Sequence, residues 1–317
     1  MAILVTGGAG FIGSHLVGHL LGAGHDSVVI LDNFCNFYDP AIKHANAGLY
    51  ANNERVITVD GSYCDLSLME RLFEKHRFSH VVHLGGYPGV PASLKAPLAY
   101  IEANITGTVT LLEVARQFPL QRFLFASSST VYGRGARAPF QEDAPLGSPL
   151  SPYGATKRAG EILGQTYLNL YDVPFVSLRF FNVYGPRLRP ELALAAFARK
   201  ILSRQPLTLY GDGSAQRDFT HVSDVCRGIL AALRAPGIVG QAINLGHQEP
   251  VTVKQLIALL EKTTGLSAII DQQPARMEDM PLTCADLQKA QRLLGYSPQV
   301  SIEQGVEEYV AWLRETL

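Results

Sequence analysis

The sequence predicts an α/β fold, in which a doubly wound parallel sheet is followed by a smaller, partly discontinuous α/β domain. Short apolar runs alternate with helical patterns through the first half of the chain, which is typical of repeated strand–helix units. The first run ends in closely spaced glycines, and beyond residue 182 proline and glycine become frequent. We therefore expect one domain over residues 1–181, completed by a returning strand near 241–246, and a second domain over residues 182–317.

The composition is that of an ordinary globular protein. Hydrophobic residues make up 47% of the 317 positions and charged residues 17%, and the net charge of -1 does not favour a nucleic-acid or membrane partner. The chain starts directly with a strand pattern rather than a targeting segment, and no apolar run approaches a membrane span in length. The four cysteines lack metal-ligand spacing, so we expect reduced thiols, no metal and a cytoplasmic location.

The first element is a strand, a glycine turn and a helix. A short apolar strand leads into Gly7, Gly10 and Gly13, whose spacing lets the backbone approach a pyrophosphate closely. The helix that begins at Phe11 offers its N-terminal N–H groups and its positive dipole end to the phosphates. This unit predicts a Rossmann-type dinucleotide site.

An acidic residue ends the second apolar run. Asp32 lies 19 residues after Gly13, where a carboxylate can accept hydrogen bonds from an adenosine ribose. The same carboxylate would repel a 2′-phosphate, so the position predicts NAD rather than NADP as the cofactor. The alternative is that Asp32 merely begins a turn.

The remaining elements follow from hydrophobic periodicity and helix-capping signals. Strands are predicted near residues 56–59, 81–84, 123–126, 173–180 and 242–245. Helices are predicted near residues 97–117, 151–170, 191–204, 222–234, 253–264 and 302–316. Two capping boxes are predicted, at Ser67 with Glu70 and at Thr252 with Gln255.

A serine, a tyrosine and a lysine suggest redox chemistry at an alcohol. Tyr153 and Lys157 lie one turn apart on a predicted helix, and Ser128 ends the fifth predicted strand. A free tyrosine has a pKa of about 10, but a nearby ammonium favours the phenolate, as would a positive nicotinamide ring. The tyrosine could then remove a hydroxyl proton while the carbon gives hydride to NAD. The alternative is an ordinary pair of residues on a surface helix.

Several motifs together identify a family resemblance. Thr6-Gly7-x-x-Gly10-x-x-Gly13, Ser128 and Tyr153-x-x-x-Lys157 resemble the extended short-chain dehydrogenase/reductases. Three more motifs resemble the nucleotide-sugar epimerases and dehydratases: Ser151-Pro152-Tyr153-Gly154, the run Arg179-Phe180-Phe181-Asn182-Val183-Tyr184-Gly185-Pro186, and Gly211-Asp212-Gly213-x-x-x-Arg217-Asp218-Phe219. The resemblance covers essentially the whole chain.

The resemblance implies two sets of binding residues. The NAD contacts would be Gly7, Gly10, Phe11, Ile12, Gly13, Asp32, Asn33, Gly61, Ser62, Leu84, Gly85, Gly86, Asn104, Ser127, Tyr153, Lys157 and Phe180. The nucleotide-sugar contacts would be Pro88, Ser128, Ser129, Thr130, Tyr153, Asn182, Arg189, Arg217, Arg276 and Asp279. The chain departs from the family pattern at Ser62, where an acid usually follows Gly61, and at Gly85 and Gly86, where alanines are common.

The turn after Ser128 bears on the reaction. Dehydratases and decarboxylases of this family carry acids there, whereas residues 129–133 contain none. The resemblance therefore implies a 4-epimerase that works through a transient 4-keto sugar. The segments 32–40 and 185–190 resemble the UDP-glucuronate 4-epimerase branch, with Arg189 as the candidate for the uronate carboxylate.

Other functions stay open on the sequence alone. The first alternative is a UDP-glucose/UDP-galactose-type 4-epimerase, followed by a UDP-glucuronate decarboxylase or a dehydratase. A non-catalytic NAD-binding regulator is less favoured, because such a protein needs neither Ser128 nor Tyr153 nor Lys157. Related enzymes form homodimers through helices corresponding to 97–117 and 151–170, although their apolar stripes also fit ordinary packing on the sheet.

Overall fold

Strands and helices alternate along the chain. The computed structural model describes residues 1–275 and 280–316. Its strands are β1 (Ala2–Thr6), β2 (Ser27–Asp32), β3 (Val56–Asp60), β4 (His80–His83), β5 (Arg122–Ser128), β6 (Phe175–Phe180), β7 (Val183–Tyr184), β8 (Pro206–Tyr210), β9 (Gln216–Asp218), β10 (Thr220–His221), β11 (Ala242–Leu245), β12 (Pro250–Thr252) and β13 (Ile269–Gln273).

The helices connect these strands. They are α1 (Phe11–Gly22), α2 (Pro40–Gly48), α3 (Leu66–His76), α4 (Val90–Lys95), α5 (Pro97–Ile101), α6 (Gly107–Ala115), α7 (Pro152–Tyr171), α8 (Ala193–Leu202), α9 (Val222–Arg234), α10 (Val253–Thr264), α11 (Gln288–Leu294) and α12 (Ile302–Thr316). A π-helical turn, Glu102–Thr106, joins α5 to α6, and a 3₁₀ turn, Ser129–Tyr132, follows β5.

One parallel sheet organises the molecule. Within residues 1–275 and 280–316, seven strands pair in the order β11-β6-β5-β4-β1-β2-β3, and each pairing is parallel. This arrangement confirms the predicted doubly wound fold, including the returning strand β11. The chain reverses its direction of winding between β1 and β4, so a crevice opens at the carboxyl ends of these strands.

Helix α7 is held close to the sheet by small residues. A Cβ atom on Gly160 would lie 2.4 Å from Cζ of Phe125, and one on Gly164 would lie 2.0 Å from Cζ of Phe175. The helix begins after Ser151, whose hydroxyl accepts the N–H of Gly154 at 3.1 Å. The first two turns of α7 therefore lie at the carboxyl end of the sheet.

Part of each predicted apolar stripe on the two long helices faces outward. Leu98 and Ile101 are 79% and 46% exposed, and Ile162 and Leu170 on α7 are 60% and 66% exposed. Leu112, in contrast, is buried in the core. Packing on the sheet therefore explains only part of these stripes, and some apolar side chains are left open to solvent.

The later segment adds smaller sheets and helices to one side of the crevice. Strand β8 pairs with β13, β9 with β12, and β7 with β10. Helices α9, α10 and α12 begin and end where the sequence predicted, and the capping box at Thr252 is confirmed. The predicted box at Ser67 is wrong, because Asp65 is the N-cap and accepts the N–H of Leu68 at 3.0 Å.

The apolar core runs from the sheet into the later segment. Ile3 of β1 and Leu256 of α10 belong to one cluster of buried side chains. The domain boundary at residues 181–182 therefore stays a prediction. In the described part of the chain, no helix combines the length and the apolar character needed to cross a bilayer.

Candidate active site

A cavity of about 960 Å³ lies at the carboxyl end of the sheet, below the later segment. Most of the residues predicted to bind the cofactor or the substrate line it. They are Gly7, Gly10, Phe11, Ile12, Gly13, Asp32, Asn33, Ser62, Leu84, Gly85, Gly86, Pro88, Ser127, Ser128, Ser129, Thr130, Tyr153, Lys157, Phe180, Asn182, Arg189 and Arg217. The predicted pair Arg276 and Asp279 lies outside the described residues.

Two predicted contact residues lie behind the cavity wall. Asn104 is only 2% exposed, and its amide exchanges hydrogen bonds of 2.7 and 2.9 Å with the backbone of Tyr87. Gly61 donates its N–H to the carbonyl of Asp32 at 2.9 Å. Both residues hold wall segments in position, and their predicted contacts with the cofactor stay predictions.

The hydroxyl of Ser127 is held within the protein, although the residue lines the cavity. It donates to Glu161 Oε1 at 2.5 Å, and Glu161 in turn forms a buried ion pair with Arg179 at 2.8 Å. The predicted contact of Ser127 with the cofactor stays a prediction.

Gly85 departs from the family pattern for a steric reason. A Cβ atom on this residue would lie 2.5 Å from Cε1 of Tyr63 and 3.0 Å from Oγ1 of Thr6. The Tyr63 ring packs edge-on against His83, with ring centroids 5.0 Å apart. The space of an alanine methyl is therefore taken by the ring of Tyr63, which was not among the predicted site residues.

The residues around the glycine turn fit a dinucleotide. Helix α1 starts at Phe11, and its N-cap, Gly10, provides no side-chain cap, so the first N–H groups of the helix face the cavity without a competing side chain. Asp32 lines the same end, where its carboxylate accepts the N–H of Phe34 at 3.0 Å. These features match a pyrophosphate beside the helix and a ribose beside the carboxylate.

Lys43 was missed by the sequence analysis. Its ammonium lies 3.7 Å from the Asp32 carboxylate and donates to the carbonyl of Cys35 at 3.1 Å. Burial raises the pKa of Asp32, and the Lys43 charge acts in the opposite direction. The residue belongs to α2, a helix that the sequence analysis did not predict.

Tyr153 and Ser128 meet in the centre of the cavity. The Ser128 hydroxyl is hydrogen-bonded to Tyr153 and also accepts the N–H and hydroxyl of Thr130 at 3.2 and 3.0 Å. Tyr153 packs edge-on against Tyr100, with ring centroids 6.2 Å apart. The three hydroxyls can therefore surround one oxygen atom of a bound sugar.

The surroundings of Tyr153 differ from the expected ones. Burial raises the pKa of Tyr153, while the hydrogen bond from Ser128 and the charge of Arg189 lower it. Burial also lowers the pKa of Lys157 to about 8, and its ammonium lies 5.0 Å from the centre of the Phe125 ring. The protein surroundings of Tyr153 therefore favour a neutral phenol rather than one made acidic by Lys157.

Basic and polar groups occupy the other end of the cavity. Arg217, on β9, donates to the carbonyl of Met280 at 2.6 Å, and Asn182 accepts from the hydroxyl of Thr283 at 3.5 Å. Arg189 is 14% exposed and forms an ion pair with Glu191 at 2.9 Å. Two guanidinium groups that line the same cavity suit a ligand that carries several negative charges.

The fold and this residue set define an extended short-chain dehydrogenase/reductase. Residues 3–246 match the model of the NAD dependent epimerase/dehydratase family, and the chain belongs to that family. NAD is the cofactor of the family, and the glycine turn, Asp32 and Tyr153 line one cavity.

Known relatives agree along the full length. The chain is 36% identical to UDP-glucuronate 4-epimerase of Thermodesulfobacterium geofontis, over 99% of this chain and 96% of the relative. UDP-glucuronic acid 4-epimerase of Bacillus cereus, solved with UDP-glucuronic acid and NAD, is 37% identical with a TM-score of 0.95 and full coverage of both chains. UDP-glucose 4-epimerase of Thermotoga maritima, solved with UDP-glucose, is 32% identical with a TM-score of 0.91, over 100% of this chain and 99% of that one.

The buried ammonium of Lys157 predicts a pH dependence of stability. Its pKa falls from 10.5 to about 8 on folding, so between these values the unfolded chain binds a proton that the folded chain lacks. Folding stability should therefore rise with pH in this window, by about 2 kcal/mol between pH 8 and 10. The free energy of unfolding in urea, measured without ligand, should show this rise in the wild type, whereas Lys157→Met should lack it. A constant difference between the two proteins from pH 8 to 10 would contradict the burial of a charged lysine.

Proposed function

We propose that the protein is an NAD-dependent 4-epimerase that interconverts UDP-glucuronate and UDP-galacturonate through a transient 4-keto sugar. The observation that carries the proposal is the placement of Arg189. Its guanidinium lies on the cavity wall near Tyr153, where the charge acts on the phenol. A cation near the group that handles the sugar hydroxyl suits a sugar that carries a carboxylate.

The residues of the chain would move and hold one proton. Tyr153 accepts the proton of the sugar 4-hydroxyl, and Ser128 donates a hydrogen bond to the same oxygen. Bound NAD supplies a nicotinamide that accepts and returns a hydride. Lys157, on the next turn of α7, adds a positive charge behind the site when it is protonated.

The turn after β5 favours epimerisation over elimination. Residues 129–133 contain no acid, and Tyr132 in this turn donates its hydroxyl to Asn244 at 2.7 Å. The turn therefore offers no general acid for the loss of water or for further proton transfers. This supports an enzyme that only oxidises and reduces carbon 4.

The sugar is tested by a panel of nucleotide sugars. Purified protein with NAD is incubated with UDP-glucuronate, UDP-glucose, UDP-N-acetylglucosamine and dTDP-glucose, and the sugar protons are followed by NMR. We expect inversion at carbon 4 of UDP-glucuronate. Inversion at carbon 4 of UDP-glucose but not of UDP-glucuronate would establish the neutral-sugar epimerase instead. Release of carbon dioxide would establish a decarboxylase. Tight NAD binding without any turnover would leave only the regulator.

A variant of Arg189 tests directly whether this residue binds the sugar carboxylate. Arg189→Met should lower kcat/KM for UDP-glucuronate at least about tenfold more than it lowers kcat/KM for UDP-glucose. The reason is that the variant loses the charged hydrogen bonds between the guanidinium and the sugar carboxylate. Arg187→Met is the matched control, since its guanidinium lies on the same loop but contacts His15 at 3.2 Å. Equal losses for both variants would remove the assigned role of Arg189.

The free cysteines support a cytoplasmic location.

The exposed apolar residues of the two long helices support a homodimer. We expect a second copy of the chain to cover Leu98, Ile101 and Ile162. Ile162→Lys should then shift the mass measured by light scattering from dimer to monomer, whereas Leu49→Lys, at a residue that is 62% exposed elsewhere, should not. A wild-type monomer at all concentrations would refute the dimer.

A further inference from the structure

Arg189 already holds a carboxylate of its own chain. Its Nη1 atom lies 2.9 Å from Oε1 of Glu191, and both residues line the cavity. Although this atom is buried, it has no aligned hydrogen-bond partner among the residues that the structure describes. The contact is therefore a charge pair without a directed hydrogen bond, which makes it easier to exchange.

The two partners are buried to different extents. The Arg189 side chain is 14% exposed, while that of Glu191 is 44% exposed. A buried guanidinium without a counter-ion is costly, whereas a half-exposed carboxylate can be hydrated again when it leaves. Glu191 is thus the member of the pair that can be released.

The pair lies among the aromatic rings around the catalytic residues. The guanidinium carbon of Arg189 is 6.0 Å from the centre of the Phe37 ring. The rings then continue from Phe37 to Tyr100 at 6.5 Å and from Tyr100 to Tyr153 at 6.2 Å. Two aromatic rings, Phe37 and Tyr100, therefore connect Arg189 to Tyr153, beside which the sugar would bind.

We propose that Glu191 is an internal stand-in for the sugar carboxylate and is exchanged for it on Arg189 when an anionic nucleotide sugar binds. This inference rests on the proposed function and adds a specificity-determining residue to it. A uronate displaces Glu191 into solvent and keeps Arg189 neutralised. A neutral sugar brings no replacement, so Arg189 stays paired with Glu191 and gives that sugar no charged contact.

The exchange predicts opposite behaviour for two ligands of one variant. Glu191→Gln removes the competing anion and should tighten binding of UDP-glucuronate by about three- to fivefold, the range expected for a partly exposed ion pair. The affinity for UDP-glucose should stay the same. Binding is measured by calorimetry on NAD-bound protein in a Tyr153→Phe background, so that neither ligand is turned over. Glu307→Gln is the charge-matched control, since Glu307 lies on the exposed face of α12.

The outcomes separate the two claims. Weaker binding of UDP-glucuronate by Glu191→Gln would show that Glu191 positions Arg189 for the substrate, and this would overturn the exchange. Equal changes for both ligands would overturn it as well. Because binding is measured without turnover, these results are independent of the NMR panel, which alone decides whether UDP-glucuronate is the substrate.

Discussion

The close contact between α7 and the sheet is the constraint on which the site depends. Gly160 and Gly164 leave no room for a side chain beneath the helix, so Phe125 and Phe175 set its distance from the strands. Because Tyr153 and Lys157 lie in the first turns of the same helix, this contact also sets their position beside Ser128 at the end of β5. The packing of an apolar layer thus determines the geometry of a polar site.

The same burial has an electrostatic consequence. The sheet end that holds Tyr153 and Lys157 in position also keeps water away, which raises the pKa of the phenol and lowers the pKa of the ammonium. Burial alone therefore does not favour proton removal by Tyr153. Arg189 opposes the effect on the phenol, and a positive nicotinamide ring beside Tyr153 would oppose it further. Proton removal by Tyr153 would then be coupled to cofactor binding.

Local patterns predicted the fold well but not the hydrogen-bond partners of buried polar side chains. The strand–glycine–helix start and the capping box at Thr252 depend on neighbouring residues, so the sequence contains their whole cause. Asn104 and Ser127 were assigned to the cofactor, but their partners Tyr87 and Glu161 come from distant segments. Such hydrogen bonds depend on tertiary structure and leave no local signal.

Periodicity had a related limit. It identified the apolar stripe that contains Leu98 and Ile101 but could not tell whether the sheet or another molecule would cover it. The pairs Asp32–Lys43 and Arg189–Glu191 were also missed, although in each pair one member was predicted to bind a ligand. Each partner comes from a segment to which the sequence analysis gave no binding role, so only the folded chain shows which charges meet.

The most direct test of this account is a titration of the Tyr153 phenol. Tyrosinate absorbance near 295 nm is recorded against pH for the wild type and for Tyr153→Phe, each with and without NAD, and the difference between the proteins isolates this one residue. We expect Tyr153 to ionise above pH 10 in the absence of NAD and at clearly lower pH in its presence. Ionisation at the same pH in both states, or below pH 10 without NAD, would contradict the claim that burial keeps the phenol neutral until the cofactor binds.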